Sequence, residues 1–398
     1  MDGNHHLAFT RRKLLGTLGA AAGTAALAPS AFAQGGCRDG YGQGAASRCP
    51  LSMEAATAPI KEVFDSTGWQ TTALESFTID VVDYKKEAAF YAALMGWKLR
   101  EDDGKQAIMD VGNWGNCILR GAPADSFGPP TGPNNQPRRS QVKSFAWVID
   151  KWDAKTVAAE LSKRGMTPVA ENRGAFESFR VKDPDGWDLQ ICNNKGLSAA
   201  RKKAPTAKLS EALPFAATGW KTIWLDHFSF RVSNYKASAS YYANLLGWKR
   251  TYDEGTQNEL EVGDVGEVLC RGGNPFIPAQ ANGPKGASID HISFGITPWD
   301  VEGVRQALES RGLHAQIDTS GAHIGPDNKI TQDDIYQAAF QSYHTDTPNG
   351  FNLQISWNSI DKRLALATAV KPKALRKYQT PVQQPMNMGA GGAGGGGT

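Results

Sequence analysis

The first chemical clue in this chain is a histidine that its own duplicate lacks. Leu225–Lys249 (LDHFSFRVSNYKASASYYANLLGWK) repeats Leu74–Lys98 (LESFTIDVVDYKKEAAFYAALMGWK) with 12 of 25 positions identical and no gap. Ser76 of the earlier copy is His227 in the later one, so a group able to bind a metal or carry a proton near neutral pH replaces a hydroxyl. His291 follows in IDHISFGI, which has the same pattern as LDHFSFRV. Of the seven histidines, His5 and His6 lie at the N-terminus. The other five, His227, His291, His314, His323 and His344, all follow Leu225. Two imidazoles at matching places of duplicated units point to a metal.

Period-two alternation determines which side chains meet them. Phe228, Phe230 and Val232 share one face and must bury, which puts His227, Ser229 and Arg231 on the other. Ile292, Phe294 and Ile296 oppose His291 and Ser293, while Leu353 and Ile355 oppose Asn352, Gln354 and Ser356. The second face is a polar cup suited to a ligand, with Ser229, Arg231, Ser293 and Asn352 as candidate substrate contacts.

Each copy divides into two rounds of one strand, one helix and several strands. The first copy runs to WDLQIC; the second holds the rounds that open at LDHFSFRV and IDHISFGI. The expected organisation is residues 1–33 as an export signal, 34–73 as an extension, and 74–192 as the first domain. Residues 193–223 follow as a linker, 224–358 as the second domain, and 359–398 as a glycine-rich tail. Thr10-Arg11-Arg12-Lys13, a weakly apolar run to Leu27 and Ala31-Phe32-Ala33 resemble a twin-arginine signal, which implies a periplasmic or secreted protein without stable membrane insertion. In that compartment a Cys37–Cys49 disulfide is plausible. With 43 basic and 40 acidic residues, the net charge of +3 gives no electrostatic case for nucleic acid. The expected partner is a small-molecule substrate, with oligomer formation left open.

The opening strands with His227 and His291, the helix ends FYAALMGW and YYANLLGW, and the closing turn-strands DPDGWDLQI and TPNGFNLQI together resemble the vicinal oxygen chelate superfamily. That superfamily includes glyoxalases, extradiol dioxygenases and resistance proteins. The resemblance implies an α+β fold of four βαβββ units, paired into two half-open barrels in tandem. It also implies a divalent metal (Fe, Zn, Mn or another) held by the first and last strands of each unit.

Carried over residue by residue, the metal positions are His227, Cys270, His291 and Gln354 in the second domain, against Ser76, Leu119, Ser144 and Gln190 in the first. Cys270 enters because GEVLC and GFNLQ both count four residues from glycine. The first domain is therefore expected to be metal-free. His344, in the hairpin before Gln354, is the candidate catalytic acid or base. The superfamily's chemistry leaves three readings open: extradiol-dioxygenase-like cleavage, glyoxalase-like lyase or isomerase chemistry, and non-catalytic binding. The spacing from His291 to Gln354 exceeds that from Ser144 to Gln190 by 17 residues. Such an insertion suits a lid carrying His323, Asp333, Asp334 and Tyr336, and equally a surface ornament or a subunit contact.

Overall fold

A computed structural model describes residues 60–127, 139–253, 257–272, 286–318 and 342–356, with backbone alone for 251–253. The export signal, Cys37 and Cys49, the 17-residue insertion and the tail lie outside the described residues. No helix among the described residues is long and apolar enough to cross a membrane.

The strand–helix–strands rhythm recurs four times, as two α+β domains. The first unit is β1 (Thr71–Val81), α1 (Tyr84–Met95), β2 (Lys98–Asp102), β3 (Gln106–Val111) and β4 (Gly115–Gly121). The second is β5 (Ser140–Ile149), α2 (Ala154–Lys163), β6 (Val169–Ala170), β7 (Ser178–Lys182) and β8 (Asp188–Cys192). A short helix, α3 (Leu197–Ala200), follows. The third unit is β9 (Lys221–Arg231), α4 (Tyr235–Leu246), β10 (Lys249–Asp253), β11 (Gln257–Val262) and β12 (Gly266–Arg271). The fourth is β13 (Ser288–Thr297), α5 (Val301–Glu309), β14 (Gln316–Asp318), β15 (Ser342–Asp346) and β16 (Asn352–Ser356).

The units pair into two eight-stranded sheets, β2-β3-β4-β1-β5-β8-β7-β6 and β10-β11-β12-β9-β13-β16-β15-β14. In each, the two opening strands lie antiparallel at the centre and each pairs in parallel with the closing strand of its unit.

Local chemistry explains where the helices begin and end. Asp83 and Asn234 cap α1 and α4 by accepting from Lys86 N and Ala237 N, both at 3.1 Å. Gly96 and Gly247 end them in the left-handed conformation, at φ 69° and 71°. The Gly-Trp pair that follows turns an indole back onto the helix, so Trp97 stacks on Tyr91 at 4.3 Å and Trp248 on Tyr242 at 4.8 Å.

The apolar faces of the two sheets form one continuous core, where Phe77 meets Phe228 at 5.4 Å and Phe145 meets Phe230 at 5.7 Å. Each domain also completes the other's helix end. Thr71 Oγ1, at the start of β1, accepts from Trp248 Nε1 at 2.9 Å and donates to Leu246 O at 3.0 Å. Thr222, at the start of β9, accepts from Trp97 Nε1 at 2.9 Å and donates to Met95 O at 3.2 Å. The expected linker is thus partly structured, since residues 193–223 hold α3 and the start of β9.

Candidate functional site

The polar cup of the second domain is laid out by strand register. Side chains on one face of adjacent strands form rows. One row runs His227, Ser293, Gln354 and His344 across β9, β13, β16 and β15. The next runs Leu269, Ser229, His291 and Asn352 across β12, β9, β13 and β16.

Two β-bulges aim the histidines. Pairing between β9 and β13 steps from His227–Ser293 to Leu225–Phe294, which leaves Asp226 as the extra residue of β9. The same ladder steps from Ile289–Phe230 to His291–Ser229 and leaves Asp290 as the extra residue of β13. Each bulge sets a carboxylate against the histidine that follows. His227 Nδ1 lies 2.7 Å from Asp226 Oδ2, and His291 Nδ1 lies 3.1 Å from Asp290 Oδ1. The opposite ring nitrogens converge, with Nε2 to Nε2 at 3.1 Å.

Burial makes this convergence chemically specific. His227 is fully buried and His291 is 4% exposed. Burial drives His291 down to about 3, against the pull of Asp290, so its ring is neutral at physiological pH. Burial also opposes ionisation of Asp290, but His291, Arg271 and Arg231 together hold its carboxyl well below the usual range. A carboxylate accepts, and in the tautomer that carries its proton on Nδ1 a neutral imidazole presents a lone pair at Nε2. At 3.1 Å the two Nε2 atoms are close enough to share a proton in a hydrogen bond or to ligate one cation together.

A divalent ion fits that gap, because metal–nitrogen bonds of about 2.0–2.1 Å place two cis ligands roughly 3 Å apart. Among the described residues, no group of three or more His, Cys, Asp or Glu side chains is arranged to hold a metal. Among the described residues, the rows that hold His227 and His291 also hold the neutral oxygens of Ser293, Gln354 and Asn352. Ser293 Oγ, fully buried in the row between His227 and Gln354, has no hydrogen-bond partner among the described residues. Gln354 donates from Nε2 to Ser342 Oγ at 2.7 Å. In the first cup Gln190 Nε2 makes the same bond to Ser178 Oγ at 2.8 Å. The glutamine thus ties the closing hairpin of both domains, whether or not histidines are present.

The other candidates are placed as follows. The His344 ring meets His291 edge to face at 5.1 Å, and its Nδ1 lies 2.8 Å from Asn352 Oδ1. Asn352 accordingly orients the imidazole. Ser229 Oγ is buried and accepts from Arg271 Nη1 at 2.9 Å. Arg231 stands half-exposed at the mouth and pairs with Asp290 Oδ2 at 3.1 Å.

Cys270 is not on the cup face and is corrected as a ligand. It pairs with Phe230 and packs into the apolar core, where burial pushes its thiol well above the usual value. Leu269 pairs with Ser229 and holds the cup position. Alternation along β12 puts Val268 and Cys270 on the face of Phe228 and Phe230, so the count from glycine does not carry over from β16.

Sequence reasoning missed Asp226, Asp290 and Arg271. The Asp-His dipeptide, repeated at 226–227 and 290–291, was the available signal for the first two. Nothing in the alternation singled out Arg271 once Cys270 had been taken as the inward residue.

The fold is defined by two tandem α+β domains, each built on an eight-stranded sheet with one polar face. Residues 76–192 match the family described as a glyoxalase-like domain. Solved structures with similar folds include the Mn(II)-bound glyoxalase from Novosphingobium aromaticivorans, at 16% identity over 73% of this chain and 83% of that one, TM-score 0.49. Homoprotocatechuate 2,3-dioxygenase from Arthrobacter globiformis matches at 16% identity over 76% and 84%, TM-score 0.46. No curated protein matches the chain.

Proposed function

We propose that the second domain is a divalent-metal-dependent enzyme acting on a small substrate with neighbouring oxygens. His227 and His291 are its protein metal ligands, and the convergence of their Nε2 atoms, 3.1 Å apart, carries this reading. Asp226 and Asp290 fix the two tautomers, and burial keeps water from the imidazoles. His344, oriented by Asn352, is placed to take or return a proton at Nε2. Ser229, Ser293, Asn352 and Arg231 line the substrate space.

A bound divalent ion would supply Lewis acidity at this point, polarising a substrate oxygen and acidifying a neighbouring C–H or O–H. Iron(II) oxygen chemistry ordinarily uses two histidines and one carboxylate. Among the described residues the cup offers two histidines with neutral oxygens, and this favours glyoxalase-like lyase or isomerase chemistry over ring cleavage. The twin-arginine pattern at residues 10–33 supports an exported enzyme.

A second reading, a non-catalytic small-molecule binder, is supported by the commitment of the Gln354 amide to Ser342. Metal titration of full-length, metal-stripped protein tests the proposal. The expected result is about one equivalent of Mn²⁺ or Zn²⁺, lost in His227→Ala plus His291→Ala. Wild-type binding below about a tenth of an equivalent sinks the enzyme reading. If metal binds, oxygen uptake with catechols identifies ring cleavage, and its absence together with turnover of an α-hydroxycarbonyl adduct identifies isomerase chemistry.

A further inference from the structure

The first cup has no imidazole, yet its buried polar groups are engaged by a ligand of another kind. We propose that this cup is a binding site for a guanidinium-bearing helical turn, and that its resident occupant is the chain's own segment 196–203. After β8 the chain turns at Gly196 into α3, which lies against β1 and β4 on the cup side. Glu75, the bulge residue of β1 at the position of Asp226, is 3% exposed and receives the segment. Its Oε1 accepts from Leu197 N and its Oε2 from Ser198 N at 2.9 Å.

The other end of the segment is gripped as firmly. Arg201 Nη1 donates to Oδ1 of Asn116, a fully buried residue. Asn116 Nδ2 donates to Asp110 Oδ1 at 2.8 Å, and Arg100 binds the same carboxylate through Nε and Nη2 at 2.6 and 2.5 Å. Arg100 Nη2 also reaches Lys203 O at 2.9 Å. Arg201 thus lies in the combined field of Glu75 and Asp110.

The fit extends to Gly196, where a Cβ would overlap Glu75 Oε1 and the Phe176 ring. In the second cup the acid in the equivalent bulge backs a histidine. In the first it is turned to two backbone amides, and the segment lies over β1 and β4. The proposal holds independently of the metal proposal.

Hydrogen–deuterium exchange on the full-length protein tests the assignment. The Leu197 and Ser198 amides should be protected, and Glu75→Gln should cut their protection about 10- to 100-fold while β5 and β8 stay unchanged. Arg201→Ala should lower the melting temperature, and low-millimolar guanidinium ion should restore it while giving no gain to wild type. Wild-type amides at 197–198 exchanging like unstructured chain would overturn the proposal. So would failure of guanidinium to rescue Arg201→Ala, which decides the matter even if Glu75→Gln does not fold.

Discussion

His227 and His291 turn their Nε2 atoms toward each other across 3.1 Å, with an aspartate one residue ahead of each holding the far ring nitrogen. The two Asp-His units come from separate bulges in neighbouring antiparallel strands, so the sheet carries one device twice. Such outer carboxylates fix tautomer and raise ligand basicity, which is what a metal needs from a buried imidazole.

Replacing either carboxylate by its amide tests that role. Asp226→Asn and Asp290→Asn should each weaken Mn²⁺ or Zn²⁺ affinity about 10- to 100-fold in calorimetric titration, with circular dichroism unchanged. Unaltered affinity in both variants would show that the aspartates are only structural.

Gln354→Glu adds the missing negative oxygen at a position whose partner, Ser342, can still donate to it. Affinity for a divalent ion should rise, by about tenfold or more, because ligand charge offsets that of the metal. A fall in affinity would place residue 354 outside the metal's reach.

Two buried carboxyls at the junction of the domains set a pH dependence of stability. Glu87 on α1 accepts from Asn349 Nδ2 at 2.8 Å, and Asp183 in the first domain accepts from Tyr242 Oη at 2.8 Å. Burial raises Glu87 from 4.5 to about 7 and Asp183 from 3.8 to about 6, each against its hydrogen bonds. Both groups bind protons more tightly folded than unfolded. Their stabilising effect is therefore complete below about pH 4 and lost as pH rises through 6 to 7. Glu87→Gln should remove about 3 kcal/mol of this dependence, seen as a flatter denaturation midpoint between pH 4 and 8.

Thr71→Val and Thr222→Val each leave an indole N–H buried without its acceptor. Each should cost about 1–3 kcal/mol in urea denaturation, and the two costs should be similar because the contacts are reciprocal.

Cys270→Ala should leave metal binding unchanged and cost roughly 1–2 kcal/mol from the small cavity opened in the core. Loss of metal in this variant would reinstate the thiol as a ligand.

Much of the cup was legible in the sequence, for a simple reason. Regular strands alternate, so Phe228 and Phe230 on one side fix His227 and Ser229 on the other, and the same holds around Ile292 and Leu353. Counting failed where alternation does. A bulge has no compositional mark when its extra residue is an ordinary aspartate, so Asp226 and Asp290 passed unnoticed. The duplication was traced from Leu74, yet TGWQT (67–71) and TGWKT (218–222) extend it seven residues further. Those threonines bind the opposite domain, a relationship that no local pattern reveals. The occupied first cup was also illegible, because Gly-Leu-Ser-Ala-Ala-Arg reads as a solvated connection until Glu75 is seen to receive it.

The exchange of threonines and indoles between the halves also says what a single half would do on its own. A severed second domain keeps both the arm that begins at Thr218 and the Trp248 socket shaped for its twin's arm. Arm and socket have the same form in either copy, so two severed domains can serve each other. The isolated half should associate as an isologous pair, and the intact chain is that pair joined into one polypeptide.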